Sequence, residues 1–518
     1  MTIQSETQAR VAPPEGLAPG ESLDDRFHRA LLDNVRPPAW RNPTPAGRYN
    51  LVVVGAGPGG ATAALEAAAL GAKVALIERN LIGGDRLNVG CVPSKALIRT
   101  ARFYAEMRDA EYVGGQVPRD IEIGFVTMMQ RMHRIQARLS RAVSARRVSK
   151  AGVDVYLGEA RFAGPDSVSV DGAVLRFKKA IIATGARPLT PPIPGLVEAG
   201  YLTNENVFDL TECPPRLLVM GGGPLGCELA QAFCRLGSHV IFVQNEPTFL
   251  QREERDAAQV LSDSLAHDGV EIRLNTTVVA VRKEGNAKIV DLASDDSRFS
   301  VSVDEILAGI GRAPNVEGMN LEAARIRYDT EIGIHVDDFL RTSNPRIYGV
   351  GDVCLEHKFT HASEASARVA VQNALFLGRR RMSGLTIPWC TYTDPEIAHV
   401  GMYVREAREM GVPVKTFTIL MHDVDRAVTD GEEEGFVKIH VREGTDRILG
   451  ATIVARHAGE MINGLSLAIS ERIGLRALAE VIHTYPTQAE AIKMAAEAYR
   501  RTRLTPTLRS LSRRWLAW

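Results

Sequence analysis

The stretch YNLVVVGAGPGGATAALEAAALGAKVALIER, residues 49–79, decides the fold. Its apolar start reads as a strand, GAGPGG as a tight turn, the Ala/Leu-rich run as a helix, and VALIE as a second strand ending at Glu78. Together these make one βαβ unit. Gly55, Gly57 and Gly60 stand at G-x-G-x-x-G spacing where strand meets helix. The first glycine permits the turn, the second lets a pyrophosphate approach the backbone, and the third lets helix and strand pack closely; the helix N-terminus favours phosphate charge. Glu78 ends the second strand, where a carboxylate accepts hydrogen bonds from ribose hydroxyls. A bare glycine triplet also occurs in purely structural turns. Strand, triplet, helix and terminal acid in this order predict a dinucleotide site.

RLLVMGGGPLGCELAQAFCRLGSHVIFVQ, Arg216 to Gln244, repeats the unit with Gly221, Gly223 and Gly226 in the same places. Two copies so far apart are a duplicated nucleotide-binding domain and not a solenoid, whose repeats are shorter. The second copy ends at Gln244 instead of an acid, which removes the group that binds a 2′-hydroxyl and repels a 2′-phosphate, so NADPH is expected, with NADH as the alternative. Arg252 could pair with that phosphate, but beside Glu253 and Glu254 it also reads as a solvated surface charge. Asp352, at the end of TSNPRIYGVGDV, reads either as the N-cap of a following helix or as a ligand, and the residues alone leave this open.

The chain has 518 residues, 45% hydrophobic and 24% charged, long enough for several domains with buried cores. Lys+Arg and Asp+Glu both number 62, so no global charge points to nucleic acid. The 6 cysteines (Cys91, Cys213, Cys227, Cys234, Cys354, Cys390) form neither a secreted disulfide framework nor a Cys-x-x-Cys metal pair. A cytoplasmic protein with no metal site, signal peptide or integral membrane segment is expected. Residues 1–48 are polar and Pro-rich (PPEGLAPG, PPAWRNPTPAG) around a helical candidate at Asp24–Asn34, an extension expected to pack on the surface of the body or to be partly disordered. A long helix is expected near Val126–Ser149, and alternating strands followed by helices after Pro388.

At GGDRLNVGCVPSKAL, Gly83 to Leu97, the sequence closely resembles the pyridine nucleotide-disulfide oxidoreductases, which include dihydrolipoyl dehydrogenase, glutathione reductase and mercuric reductase. ATG at Ala183–Gly185, GRAPN at Gly311–Asn315, YGVGD at Tyr348–Asp352 and HTYPTQAE at His483–Glu490 follow in order, and the mercuric reductase-like branch is the nearest in character. The resemblance implies an α/β fold with two Rossmann-like domains, for FAD and NAD(P), and a C-terminal α+β dimerisation domain. The boundaries it implies are an extension (1–48), an FAD domain (49–200), an NAD(P) domain (201–310), a segment completing the FAD site (311–384) and a dimerisation domain with a basic tail (385–518). It implies FAD at the first unit, with Lys95 near the flavin ring, Ala160, Thr184 and Gly185 along the cofactor and Asp352 on the ribityl chain. Glu228 and Gly311 are implied at the nicotinamide. The active site would be shared across a homodimer, His483 of one chain facing the thiol of the other with Glu490 orienting the imidazole. Without the resemblance, the same residues read as a capped helix start with a surface histidine.

The family's redox disulfide needs two cysteines, and here the second is Cys91 while Arg86 stands at the first. That disulfide cannot form. Cys91 precedes Val92-Pro93-Ser94, a helix start, so the helix dipole and the Arg86 and Lys95 charges are expected to favour a reactive thiolate over an inert buried cysteine. The implied activity is an FAD-dependent NAD(P)H oxidoreductase passing electrons to a thiol/disulfide-type or other small-molecule acceptor through Cys91. The alternatives are direct transfer from flavin to quinone or oxygen, mercuric reduction, and a non-catalytic flavin-bearing redox sensor. Mercury chemistry wants more than one thiolate, and LSRRWLAW at the C-terminus has none. The tail from Tyr499 to Trp518 carries arginines and no acid, with Leu504, Leu508, Leu511 and Trp515 at helical spacing. That stripe is expected to pack on the protein's own dimer, or else on an anionic membrane surface.

Overall fold

The apolar runs of both nucleotide units form strands buried on both faces, which is why they read as continuous rather than alternating. The computed structural model describes residues 23–116, 122–295, 297–376 and 378–517. Helix α1 (Leu23–Val35) is followed by strand β1 (Arg48–Val54), helix α2 (Pro58–Ala69) and strand β2 (Val74–Glu78). Along β1, Leu51 and Val53 enter one core while Tyr49, Val52 and Val54 enter another. β1 lies parallel to β2, with Leu51 opposite Val74.

Helices α3 (Cys91–Arg108), α4 (Phe125–Ser140) and α5 (Ala145–Lys150) come next. The expected long helix is broken between α4 and α5, because the Ser144 hydroxyl accepts the Arg147 N–H at 3.3 Å and starts a new helix. Strands β3 (Val153–Leu157), β4 (Ala160–Gly164), β5 (Ser167–Val170) and β6 (Ala173–Ile182) complete a sheet of order β3-β2-β1-β6-β5-β4.

The second unit is β7 (Arg216–Met220), α6 (Pro224–Arg235) and β8 (His239–Val243). With β9 (Glu271–Arg273) and β10 (Glu305–Ala308) it makes a parallel sheet of order β9-β8-β7-β10. The chain then returns to the first sheet: β11 (Ile347–Gly349) pairs parallel with β6, and α7 (Thr360–Leu375) packs on α2. This return is what brings Asp352 to the first nucleotide loop.

The last sheet, antiparallel throughout, has strands β12 (Pro388–Thr391), β13 (Glu396–Gly401), β14 (Val414–Leu420), β15 (Phe436–Arg442) and β16 (Ile448–Ala455). Their order is β12-β13-β16-β15-β14. Helices α8 (Ala458–Ser470) and α9 (Glu490–Thr502) cover it, and α10 (Pro506–Leu516) follows. The architecture is α/β, two Rossmann-like sheets and an α+β unit.

The N-terminal extension holds a helix, α1, over the candidate Asp24–Asn34. From α1 onward it is part of the body: Leu31 and Val35 are buried in the core beneath β1, and Trp40 Nε1 donates to the Val155 carbonyl at 3.1 Å. Burying Leu31 and Val35, with Trp40 partly covered, holds this Pro-rich segment to the body. The segment PPEGLAPG lies outside the described residues.

Candidate functional site

The two nucleotide loops have nearly the same geometry. Gly55 and Gly221 take φ of 98° and 102°. A Cβ on Gly60 would lie 1.8 Å from the Gly55 carbonyl oxygen, and one on Gly226 would lie 2.0 Å from that of Gly221, so helix and strand are in backbone contact there. Gly57 and Gly223 differ: the nearest atom to a Cβ on either is 3.9 Å away, so both loops open a cradle at the N-terminus of a helix whose first residue is proline. That open backbone suits a pyrophosphate.

Glu78 is buried at the tip of β2, where Oε2 accepts the Ala56 N–H at 2.7 Å and Oε1 accepts the Asn80 N–H at 2.8 Å. Burial raises its carboxyl above the ordinary range, against the pull of those two N–H groups. Gln244 does the same work in the second unit, its Oε1 accepting the Gly222 N–H at 2.9 Å. The amide therefore keeps the carboxylate's structural hydrogen bond and drops its charge. Sequence spacing alone showed only that an acid was missing.

One cavity of about 1930 Å³ is lined by both loops. Gly55, Gly57, Glu78, Lys95, Ala160, Thr184, Gly185 and Asp352 border it, as do Gly221, Gly223, Glu228, Gln244 and Gly311. Gly60 and Gly226 lie beneath, acting through packing. Asp352 sits in a short turn, Gly351–Val353, and α7 begins only at Thr360 with Phe359 preceding it, so Asp352 caps no helix and the N-cap alternative is overturned. Burial raises its carboxyl, and the Arg312 guanidinium, with Nε 4.0 Å away, opposes this. Arg312 itself bonds the Ala186 carbonyl at 2.7 Å and pairs with Asp85, while its buried Nε has no hydrogen-bond partner among the described residues. Open glycine cradles, a buried carboxylate at Glu78, a partly buried one at Asp352 and an unsatisfied guanidinium N–H are a donor and acceptor set that fits FAD and NAD(P)H.

Cys91 is the first residue of α3 and is exposed to this cavity. Its Sγ lies 3.7 Å from Oγ1 of Thr360, the first residue of α7. The first residues of two helices far apart in sequence thus meet at this sulfur. Both cations expected beside the thiol have carboxylate partners. Arg86 turns to Glu364 on α7 at 3.4 Å, and Lys95 Nζ lies 2.7 Å from Glu228 Oε2. Burial works against the charge on Lys95, but Glu228 and Cys91 outweigh it and hold the ammonium above its usual range.

Glu228 Oε1 also accepts the Tyr392 N–H at 2.9 Å, which fixes the last sheet against the nucleotide domains. Through this contact Cys390, on β12, comes to line the cavity that holds Cys91. Burial pushes the Cys390 thiol well up. Neither Cys390 nor Arg312 was singled out from sequence, and the only available signal for Arg312 was its place in GRAPN. Phe27 and His28 of α1 also line the cavity, a contribution the sequence did not signal.

His483 and Glu490 lie outside the cavity of their own chain. The expected His483–Glu490 hydrogen bond is not formed: the ring Nδ1 lies 3.3 Å from the Val481 carbonyl, and α9 starts at Glu490 without a side-chain cap. The short turn between them leaves the imidazole bonded locally.

Two nucleotide cradles in one cavity, with a cysteine at their junction, define an FAD-dependent NAD(P)H oxidoreductase. The chain belongs to the pyridine nucleotide-disulphide oxidoreductase family, whose main domain matches residues 49–374 and whose dimerisation domain matches residues 387–496. It is 32% identical to a mercuric reductase of Lysinibacillus sphaericus over 448 residues, 86% of this chain and 82% of that one. A dihydrolipoyl dehydrogenase of Thermus scotoductus is 34% identical, with 87% and 97% covered. Among solved structures, the HOCl-induced flavoprotein disulfide reductase RclA of Escherichia coli is similar with a TM-score of 0.77 and 28% identity, over 87% of this chain and 99% of that one.

Proposed function

We propose that the enzyme moves two electrons from NADPH, with NADH as a second donor, to a small disulfide-type acceptor through the single thiol Cys91. The observation that carries this is one cavity joining both nucleotide loops to the exposed Cys91 sulfur. Bound FAD supplies the chemistry of accepting hydride from the nicotinamide and handing the electron pair on to sulfur. The chain's residues bind, orient and move protons. Gly55, Gly57 and Gly60 with Glu78, Lys95, Ala160, Thr184, Gly185 and Asp352 hold the flavin nucleotide. Gly221, Gly223 and Gly226 with Glu228, Gln244 and Gly311 hold the nicotinamide nucleotide, the neutral Gln244 accepting a 2′-phosphate nearby.

The Cys91 thiolate attacks one sulfur of the acceptor: a bond from Cys91 forms as the acceptor's S–S bond breaks, and the departing thiolate takes a proton; the electron pair that bound FAD would supply then breaks the mixed disulfide, restoring the Cys91 thiolate and releasing the second half, which takes a proton as well. In a homodimer His483 from the second copy provides that proton, which accounts for its position outside its own chain's cavity. Six free cysteines fit the reducing cytoplasm. The test is an anaerobic titration with NADH and NADPH, following flavin absorbance at about 450 nm, then a panel of disulfide, peroxide and quinone acceptors. Bleaching by NADPH first and disulfide turnover lost in Cys91→Ser are expected. Full disulfide turnover by Cys91→Ser refutes the thiol's role.

A further inference from the structure

Among the described residues, no residue of helix α10 is buried. Leu504, Leu508, Leu511, Trp515 and Leu516 are 49%, 45%, 58%, 82% and 80% exposed. Its start is nonetheless built: Pro506 stands in the first turn, and the Thr505 hydroxyl accepts the Leu508 N–H at 3.3 Å. An isolated helix of 11 residues is marginal in water, so its order must come from a surface that takes its apolar face. Along α10, Leu508, Leu511 and Trp515 fall on one stripe and Arg509, Arg513 and Arg514 lie off it, with Leu504 just ahead of the helix. With Arg500, Arg501 and Arg503, the segment from Tyr499 onward has six arginines and no acid.

We propose that α10 docks the enzyme in the plane of an anionic lipid bilayer, leucines and Trp515 in the acyl boundary and arginines on the headgroups. A basic stripe alone would fit any polyanion, but nucleic acid leaves the Leu/Trp stripe uncovered, whereas a bilayer interface covers both faces. A second copy is a poorer occupant: α10 lies beyond residue 496, where the match to the dimerisation domain ends. The positive charge complements phosphatidylglycerol-type headgroups, each arginine strengthening partition about fivefold at low salt. Among the described residues no helix is long and apolar enough to cross a membrane, so the attachment is peripheral.

The test uses the full-length, flavin-loaded enzyme, sedimented with vesicles of phosphatidylcholine alone or with one third phosphatidylglycerol. Binding to the anionic vesicles only, released by high salt, is expected. Replacing Arg509, Arg513 and Arg514 by Gln should weaken it about a hundredfold, and Leu511→Asp should abolish it, with NADPH-dependent dye reduction and native mass unchanged. Three results overturn the proposal: no binding to anionic vesicles, equal binding by Leu511→Asp, or a change of native mass in Leu511→Asp, which would assign the stripe to contact between copies.

Discussion

Glu228→Ala probes a side chain that touches all three parts of the molecule. Its carboxylate lies 2.7 Å from Lys95 Nζ on α3 and accepts the Tyr392 N–H at 2.9 Å, and it is itself on α6. Glu228 is 5% exposed and Lys95 34%. Truncation leaves an ammonium and a backbone N–H without an acceptor. Removing one member of a fully buried pair costs ~3–5 kcal/mol. Water reaching Lys95 through the cavity screens that charge, so about 2–3 kcal/mol applies, and the orphaned Tyr392 N–H adds about 1. Glu228→Gln keeps one acceptor oxygen, for Lys95 or for the Tyr392 N–H but not for both, and loses the charge, an expected cost of about 2 kcal/mol. Combining Lys95→Met with Glu228→Gln removes both charges together and should recover stability relative to Glu228→Ala. The assay is urea-induced release of flavin, followed by its fluorescence. Midpoints are expected to rise from Glu228→Ala through the double variant to wild type. A Glu228→Ala midpoint equal to that of wild type, or a double variant below Glu228→Ala, refutes the reasoning.

Glu396, which accepts the Gly459 N–H at 2.9 Å, has its carboxyl pushed up to about 7 by burial. A raised folded value means the fold bears no ionisation penalty below the unfolded value near 4.5, and one growing to about 3 kcal/mol as pH rises through 7. Glu396→Gln should therefore raise the melting temperature at pH 8 and leave it unchanged at pH 4, and equal shifts at both would be contrary evidence. Gln244→Glu should preserve the Gly222 hydrogen bond while repelling a 2′-phosphate, lowering kcat/KM for NADPH about tenfold or more relative to NADH; an unchanged ratio would remove Gln244 from nucleotide selection. Gly57→Ala, whose Cβ meets no atom nearer than 3.9 Å, should fold but bind FAD more weakly, whereas Gly60→Ala, with a contact at 1.8 Å, should lose the folded domain. Circular dichroism and flavin content separate the two, and identical behaviour would contradict the cradle geometry.

Much of the site is written in local pattern. The βαβ units, their glycines, Glu78 and the helix beginning at Cys91 are short-range features, fixed by turn sterics and by apolar runs that must be buried on both faces. These were legible because each needs only its sequence neighbours. The break at Ser144 and the burial of α1 were not, since one depends on a single competing hydroxyl and the other on a core supplied from elsewhere.

The sequence by itself determined that two dinucleotides bind, that Arg86 stands where the family carries its first redox cysteine, and that Gln244 lacks the charge of Glu78. Only the tertiary structure decided what surrounds Cys91. The N-terminus of α7 meets its sulfur, Glu228 takes the charge of Lys95, and Cys390 enters the same cavity from the last sheet. The physical reason is range: helix starts and glycine turns follow from adjacent residues, whereas charge pairing and thiol proximity depend on how separate sheets pack.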